Sequence, residues 1–180
     1  STSVAIRIAR AATGRDKIAI CGYHSWQDWY LAANLGEEGA SGLENHLLPG
    51  LEPNGVPQGL KNSVLTFQYN DMNEVKHLFE NHGNELAAVI MEPTRTEDPH
   101  PGFLECIRDL TEKNDVKLIF DEISIGWRVC LGGAHLLYGV NPDMAVFAKT
   151  ISNGFAMGAV IGNKRTMQAA QNSFISSAYW

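Results

Sequence analysis

Hydrophobic positions along the chain alternate between two spacings. Val4, Ile8 and Ala12 recur at helical spacing and predict a helix over Ser1 to Ala12 that stops at Gly14, a residue suited to the left-handed conformation that ends helices. Lys17 to Cys21 is a short apolar run of strand length, and Trp26 to Asn34 can form a helix. Leu35 to Asn62 holds six glycines and three prolines and has no sustained period, which marks a long functional or flexible connection. After it the pattern becomes regular. Strands are predicted at Ser63 to Tyr69, Leu86 to Met91, Val116 to Phe120, Met144 to Ala148 and Gly158 to Gly162. Between and after them, helices are predicted at Asp71 to His82, Pro101 to Lys113 and Asn163 to Ala170, the first with Asp71 and Glu74 at capping-box spacing. Strands alternating with helices imply parallel crossovers and a sheet covered on both faces, an α/β fold.

Composition narrows the function. Fourteen basic against twenty acidic residues leave a formal net charge of −6, against a nucleic-acid surface, which needs clustered cations. Three scattered cysteines, Cys21, Cys106 and Cys130, supply neither a disulfide framework nor metal-ligand spacing. Six scattered histidines give no metal constellation. There is no apolar run of membrane-spanning length and no signal-peptide layout at the start, so a cytoplasmic protein without a membrane partner is expected. The chain opens almost inside a helix and ends in Phe174 to Trp180, which reads as an interrupted element; residues 1–180 are expected to be an internal part of a longer protein.

In open α/β sheets ligands bind beyond the carboxyl ends of the strands, and four such ends carry chemically useful groups. They are Gly22-Tyr23-His24, Glu92-Pro93, Asp121-Glu122 and Lys149. An acidic pair closing a buried strand also suits magnesium-assisted phosphoryl transfer, but the GxxxxGK[ST] loop this chemistry needs is absent from the sequence. Lys149 follows the apolar run Asp143 to Ala148 and leads into Thr150-Ile-Ser-Asn-Gly154, a small-residue turn that lets backbone approach a ligand. A lysine placed there can form a Schiff base with a carbonyl cofactor.

The run Leu118-Ile-Phe-Asp-Glu-Ile-Ser-Ile-Gly-Trp-Arg128, followed 28 positions after Asp121 by Lys149 in Ala148-Lys-Thr-Ile-Ser-Asn-Gly154, resembles the cofactor signature of class III aminotransferases. Within that class it is similar to the glutamate-1-semialdehyde 2,1-aminomutase-like branch. Gly22-Tyr-His-Ser-Trp26 and Val89-Ile-Met-Glu-Pro93 match the same pattern in the same order, so the resemblance spans nearly the whole chain.

That resemblance implies the three-layer α/β/α large domain of a fold type I enzyme using pyridoxal 5'-phosphate (PLP). Lys149 would hold the cofactor as a Schiff base and move protons, its neutral amine favoured by partial burial. Asp121 would pair with the pyridine nitrogen and keep it protonated, making the ring an electron sink. Tyr23 would stack on the ring with His24 in support, Ile123 would pack on the opposite face, and Glu92 would lie near the cofactor hydroxyl or the substrate. Ser177 would take the place of a family threonine that reaches the phosphate across a homodimer interface. Leu35 to Asn62 would cover the site mouth, and the phosphate cradle and small domain would lie outside residues 1–180. The partners implied are a small-molecule amino donor and a carbonyl acceptor. Two alternatives stand beside an aminotransferase or aminomutase: a catalytically silent binding or assembly module of the same fold, and a nucleotide-binding domain using Asp121-Glu122 as a metal site.

Overall fold

The computed structural model describes residues 1–35, 43 and 52–176. Helix α1 (Thr2–Thr13) ends at Gly14, whose φ of 67° is left-handed and whose amide donates to the Arg10 carbonyl. Strand β1 (Lys17–Cys21) follows, then a short helix α2 (Asp28–Leu31) that tightens into a 3₁₀ turn over Ala32–Asn34. Only Val64–Thr66 of the predicted Ser63 to Tyr69 strand pairs in register, as edge strand β2. Helix α3 (Met72–His82) begins at Asp71, whose carboxylate accepts from the amides of Asn73 and Glu74. The reciprocal half of the capping box is redirected: the Glu74 side chain accepts from the Gln68 amide at 2.7 Å and fastens the turn that leads in from β2.

Strand β3 (Leu86–Met91), helix α4 (Phe103–Lys113) and strand β4 (Lys117–Asp121) fall where the pattern predicts them. Helix α5 (Ala134–Tyr138) was not predicted; strand β5 (Met144–Phe147), strand β6 (Ala159–Gly162) and helix α6 (Lys164–Met167) complete the described elements, with a 3₁₀ turn over Gln168–Asn172 after α6. The six strands form one sheet in the order β2-β1-β3-β4-β5-β6. The first five are parallel, whereas β6 runs antiparallel to β5. The β5–β6 connection holds only a 3₁₀ turn over Lys149–Ser152, too little for the crossover a parallel return requires.

Successive strand residues face opposite layers. Ile18, Ile20, Ala88, Ile90, Ile119, Met144 and Val146 pack with Ala5, Ile6, Ile8 and Ala9 of α1. Ala19, Cys21, Val89, Met91, Leu118 and Phe120 pack with Val75 and Phe79 of α3 and Leu104 and Ile107 of α4. The three-layer α/β/α arrangement expected from the alternation is the one observed. Burial on both faces explains why β3 and the Leu118–Phe120 centre of β4 are continuously apolar and not alternating.

Candidate active site

From β1 the chain passes first to β2 on one side and then to β3 on the other, so the topological switch lies between β1 and β3. The four chemically useful strand ends belong to β1, β3, β4 and β5, which are consecutive in the sheet. Parallel pairing therefore brings Gly22-Tyr23-His24, Glu92, Asp121 and Lys149 to one rim. Asp121 pairs in register with Val146, three residues before Lys149.

Asp121 is 3% exposed. Its Oδ1 accepts the Ile123 amide at 3.0 Å and its Oδ2 lies 2.9 Å from Nδ1 of the buried His24. The other ring nitrogen, Nε2, lies 2.7 Å from the Cys21 carbonyl oxygen. A carbonyl can only accept, so Nε2 carries a hydrogen, and the contact with Asp121 requires a second proton on Nδ1 or on the carboxyl. The turn that delivers His24 starts at Gly22, whose φ of 95° disfavours any side chain, and the Gly22 carbonyl is held at 2.9 Å by the buried Tyr30 hydroxyl.

Lys149 stands just past β5 with φ 49°, a left-handed backbone that costs a residue with Cβ about 1–2 kcal/mol. Its Nζ donates to the Ser124 hydroxyl at 2.8 Å. Lys149 is exposed, in contrast to the partial burial expected, because the strand gives way to a surface turn at Ala148.

Glu92 is buried at the end of β3, and burial raises its carboxyl above the ordinary range while Arg95 opposes that shift. Arg95 NH1 donates to Glu92 Oε2 at 2.8 Å. Burial pushes the neighbouring Cys21 thiol up to about 12, which leaves it protonated and unsuited to nucleophilic work.

Glu122 overturns the paired-carboxylate reading. It is fully buried and its oxygens accept from the amides of Ala134 and His135, at 2.8 and 3.0 Å, and face His135 Nδ1 at 2.9 Å. The side chain therefore caps α5, and its two oxygens do not converge with Asp121 on a metal. This cap also accounts for α5, which five residues of local sequence would not sustain.

The sequence matches the family "Aminotransferase class-III" over residues 1–179. This chain belongs to that family. It is 42% identical to a glutamate-1-semialdehyde 2,1-aminomutase 2 of Brevibacillus brevis over 93% of the chain and 39% of that protein. It is 35% identical to a 3-aminobutyryl-CoA aminotransferase of Cloacimonas acidaminovorans over the whole chain and 41% of that protein. The solved omega-transaminase of Sphaerobacter thermophilus superposes with a TM-score of 0.77 at 34% identity, covering 92% of this chain and 39% of that one. The chain thus spans about two-fifths of the length of these relatives.

Against this class-III frame the remaining expected residues separate. Tyr23 is half-buried with its ring edge-on to Tyr30 at 5.6 Å, and Ile123, also half-buried, packs against the same core. Arg128 is exposed on the turn after Ser124, and its amide donates to the Ile125 carbonyl. Ser177 lies outside the described residues, as does most of the first part of the expected mouth cover, residues 36–51. Sequence reasoning missed Arg95, Ser124 and Tyr30. For Arg95 the available signal was its i+3 spacing from an acid at a strand end; a serine and a tyrosine at ordinary loop and helix positions carried none.

Proposed function

We propose that residues 1–180 form part of the PLP-binding large domain of an aminotransferase or aminomutase, with Lys149 as the catalytic amine. The observation that carries this reading is the placement of Lys149 and the buried Asp121, which contacts the buried His24, at the carboxyl ends of the adjacent strands β5 and β4. These residues fit the cofactor. Each Asp121 oxygen keeps a lone pair beyond the contact it already makes, so the carboxylate can accept from a protonated heterocycle nitrogen.

When bound, PLP would supply an electron-withdrawing ring that stabilises negative charge on the carbon bearing the substrate nitrogen. Lys149 would supply and retrieve protons beside that carbon, with the Ser124 hydroxyl receiving its amine when free. Asp121 would hold negative charge against the ring nitrogen, and His24 would keep that carboxylate oriented through the anchor on the Cys21 carbonyl. Tyr23 and Ile123 would bear on the two ring faces, Glu92 would border the substrate, and Ser177 would reach the phosphate. Across a full turnover, an amine donor leaves as a carbonyl compound and a carbonyl acceptor leaves as an amine. The family resemblance supports a homodimer and a cytoplasmic enzyme; among the described residues no helix is long and apolar enough to cross a membrane.

Mixing the protein with PLP is expected to produce a visible absorbance band that Lys149→Ala abolishes. Amino transfer from a panel of donors to a keto-acid acceptor should follow, and turnover without added acceptor would mark an aminomutase. Absence of a Lys149-dependent band would overturn the proposal, and a band without any transfer would identify a silent relative.

A further inference from the structure

Arg95 stands out among the site residues because nothing in the proposed chemistry uses it. Its side chain is 35% exposed, while that of its partner Glu92 is 7% exposed. A Cβ built on Gly22 would lie 3.8 Å from Glu92 Oε2 and 3.9 Å from His24 Nε2, so the carboxylate oxygen that Arg95 grips borders the Gly22–His24 turn. The guanidinium is therefore one hydrogen bond away from the wall of the candidate site.

Glu92 occupies one N–H of NH1, and among the described residues Arg95 makes no other hydrogen bond. The edge formed by Nε and NH2 keeps two parallel N–H groups, the fork that matches a carboxylate. The ion pair with the buried Glu92 anchors the guanidinium, which lowers the side-chain entropy lost when a ligand is gripped. Two other acids lie on the same loop. Asp98 accepts the Tyr138 hydroxyl at 2.7 Å, and the exposed Glu97 engages Thr94 through its backbone carbonyl at 2.8 Å. Neither forms an ion pair with Arg95. The exposed Arg128, by contrast, makes no side-chain hydrogen bond or ion pair among the described residues.

We propose that Arg95 is a specificity-determining residue that receives, on its Nε/NH2 edge, a carboxylate carried by the amino donor or acceptor, while Glu92 holds its other edge. The inference rests on the PLP reading above and narrows the substrates to amines and carbonyl compounds that bear a carboxylate. A phosphate of the cofactor is the other anion that the same fork could hold, and the test separates the two.

The protein is loaded with PLP, and the visible band is titrated with glycine, β-alanine and 4-aminobutanoate. Each is compared with methylamine, ethylamine or propylamine, the matching amine that lacks the carboxylate. In the wild type at least one carboxylated amine should perturb the band at a concentration about tenfold or more below its match, the range of a charge-assisted bidentate pair. Arg95→Ala should erase that preference. Arg95→Lys, which keeps a cation for Glu92 but has no fork, should reduce it severalfold with the band intact.

A preference that survives in both variants, or the absence of any preference in the wild type, overturns the proposal and leaves the PLP reading standing. Weakened capture of PLP but not of pyridoxal by Arg95→Lys assigns the fork to the phosphate and likewise overturns it. A wild type that forms no band removes the PLP reading and this inference with it.

Discussion

At the amino-terminal rim of the sheet, Lys17 meets Glu85 at 2.6 Å, Lys117 meets Asp115 at 2.7 Å and Arg108 meets Asp143 at 3.0 Å. Arg15 closes the same rim by donating to the carbonyls of Leu86 and Asn114. At the carboxyl-terminal rim, Lys149 is held by a neutral hydroxyl, Asp121 lies against a buried histidine, and Arg95 uses only NH1 among the described residues. Among the described residues other than glycine, Asn62, Asn70, Asp115 and Asn153 take positive φ with side chains that tolerate it, whereas Lys149 and Trp127, both beyond carboxyl ends of strands, do so with side chains that do not. One rim spends its charges on the fold, and the other keeps them available.

Lys149→Ala would break this contrast most completely. It is expected to eliminate the PLP band and lower amino transfer by about ten-thousandfold while leaving the urea midpoint unchanged, because an exposed lysine bonded to one hydroxyl contributes little to stability. Asp121→Asn should reduce transfer by about a hundredfold to a thousandfold with the band retained, measured by steady-state rates against cofactor occupancy.

Glu122→Ala tests the exception at the carboxyl rim, a carboxylate used for structure. It leaves the Ala134 and His135 amides without their acceptor and is expected to cost about 2–4 kcal/mol by denaturant unfolding.

The smallest effect concerns pH. Hydrogen bonds to Lys17 and His82 hold the Glu85 carboxyl below 4.5, and a hydrogen bond to Lys117 holds Asp115 below 3.8. A carboxyl lowered by folding stabilises above its unfolded value, and that contribution disappears as pH falls through the folded value. Glu92, raised chiefly by burial, works in the opposite sense: its contribution is present below 4.5 and lost as pH rises through the folded value. Urea midpoints across the acid range should therefore fall less steeply with acid in Glu85→Gln and Asp115→Asn. In Glu92→Gln the pH-dependent loss above 4.5 should vanish. Matching acid limbs in all three variants would erase the distinction between the rims.

Local chemistry made much of this legible. Gly14 ends α1 and Asp71 starts α3 because each satisfies helix-end groups within a few residues, and the apolar runs of β1, β3, β4 and β5 are continuous because both faces are covered. The polar residues that close those strands were legible as chemically useful ends, and parallel pairing brings Asp121 and Lys149 to one rim. The sequence could not reveal that adjacent Asp121 and Glu122 point to different tasks, since alternation along the chain sends one to His24 and the other under α5. Nor could it reveal the reversal of β6, the exposure of Lys149, or the unused edge of Arg95. Periodicity and caps act over a few neighbouring residues and are written in composition and spacing. The direction of a buried carboxylate, or the partner left to a guanidinium, depends on groups distant in the chain that meet only when the sheet is assembled.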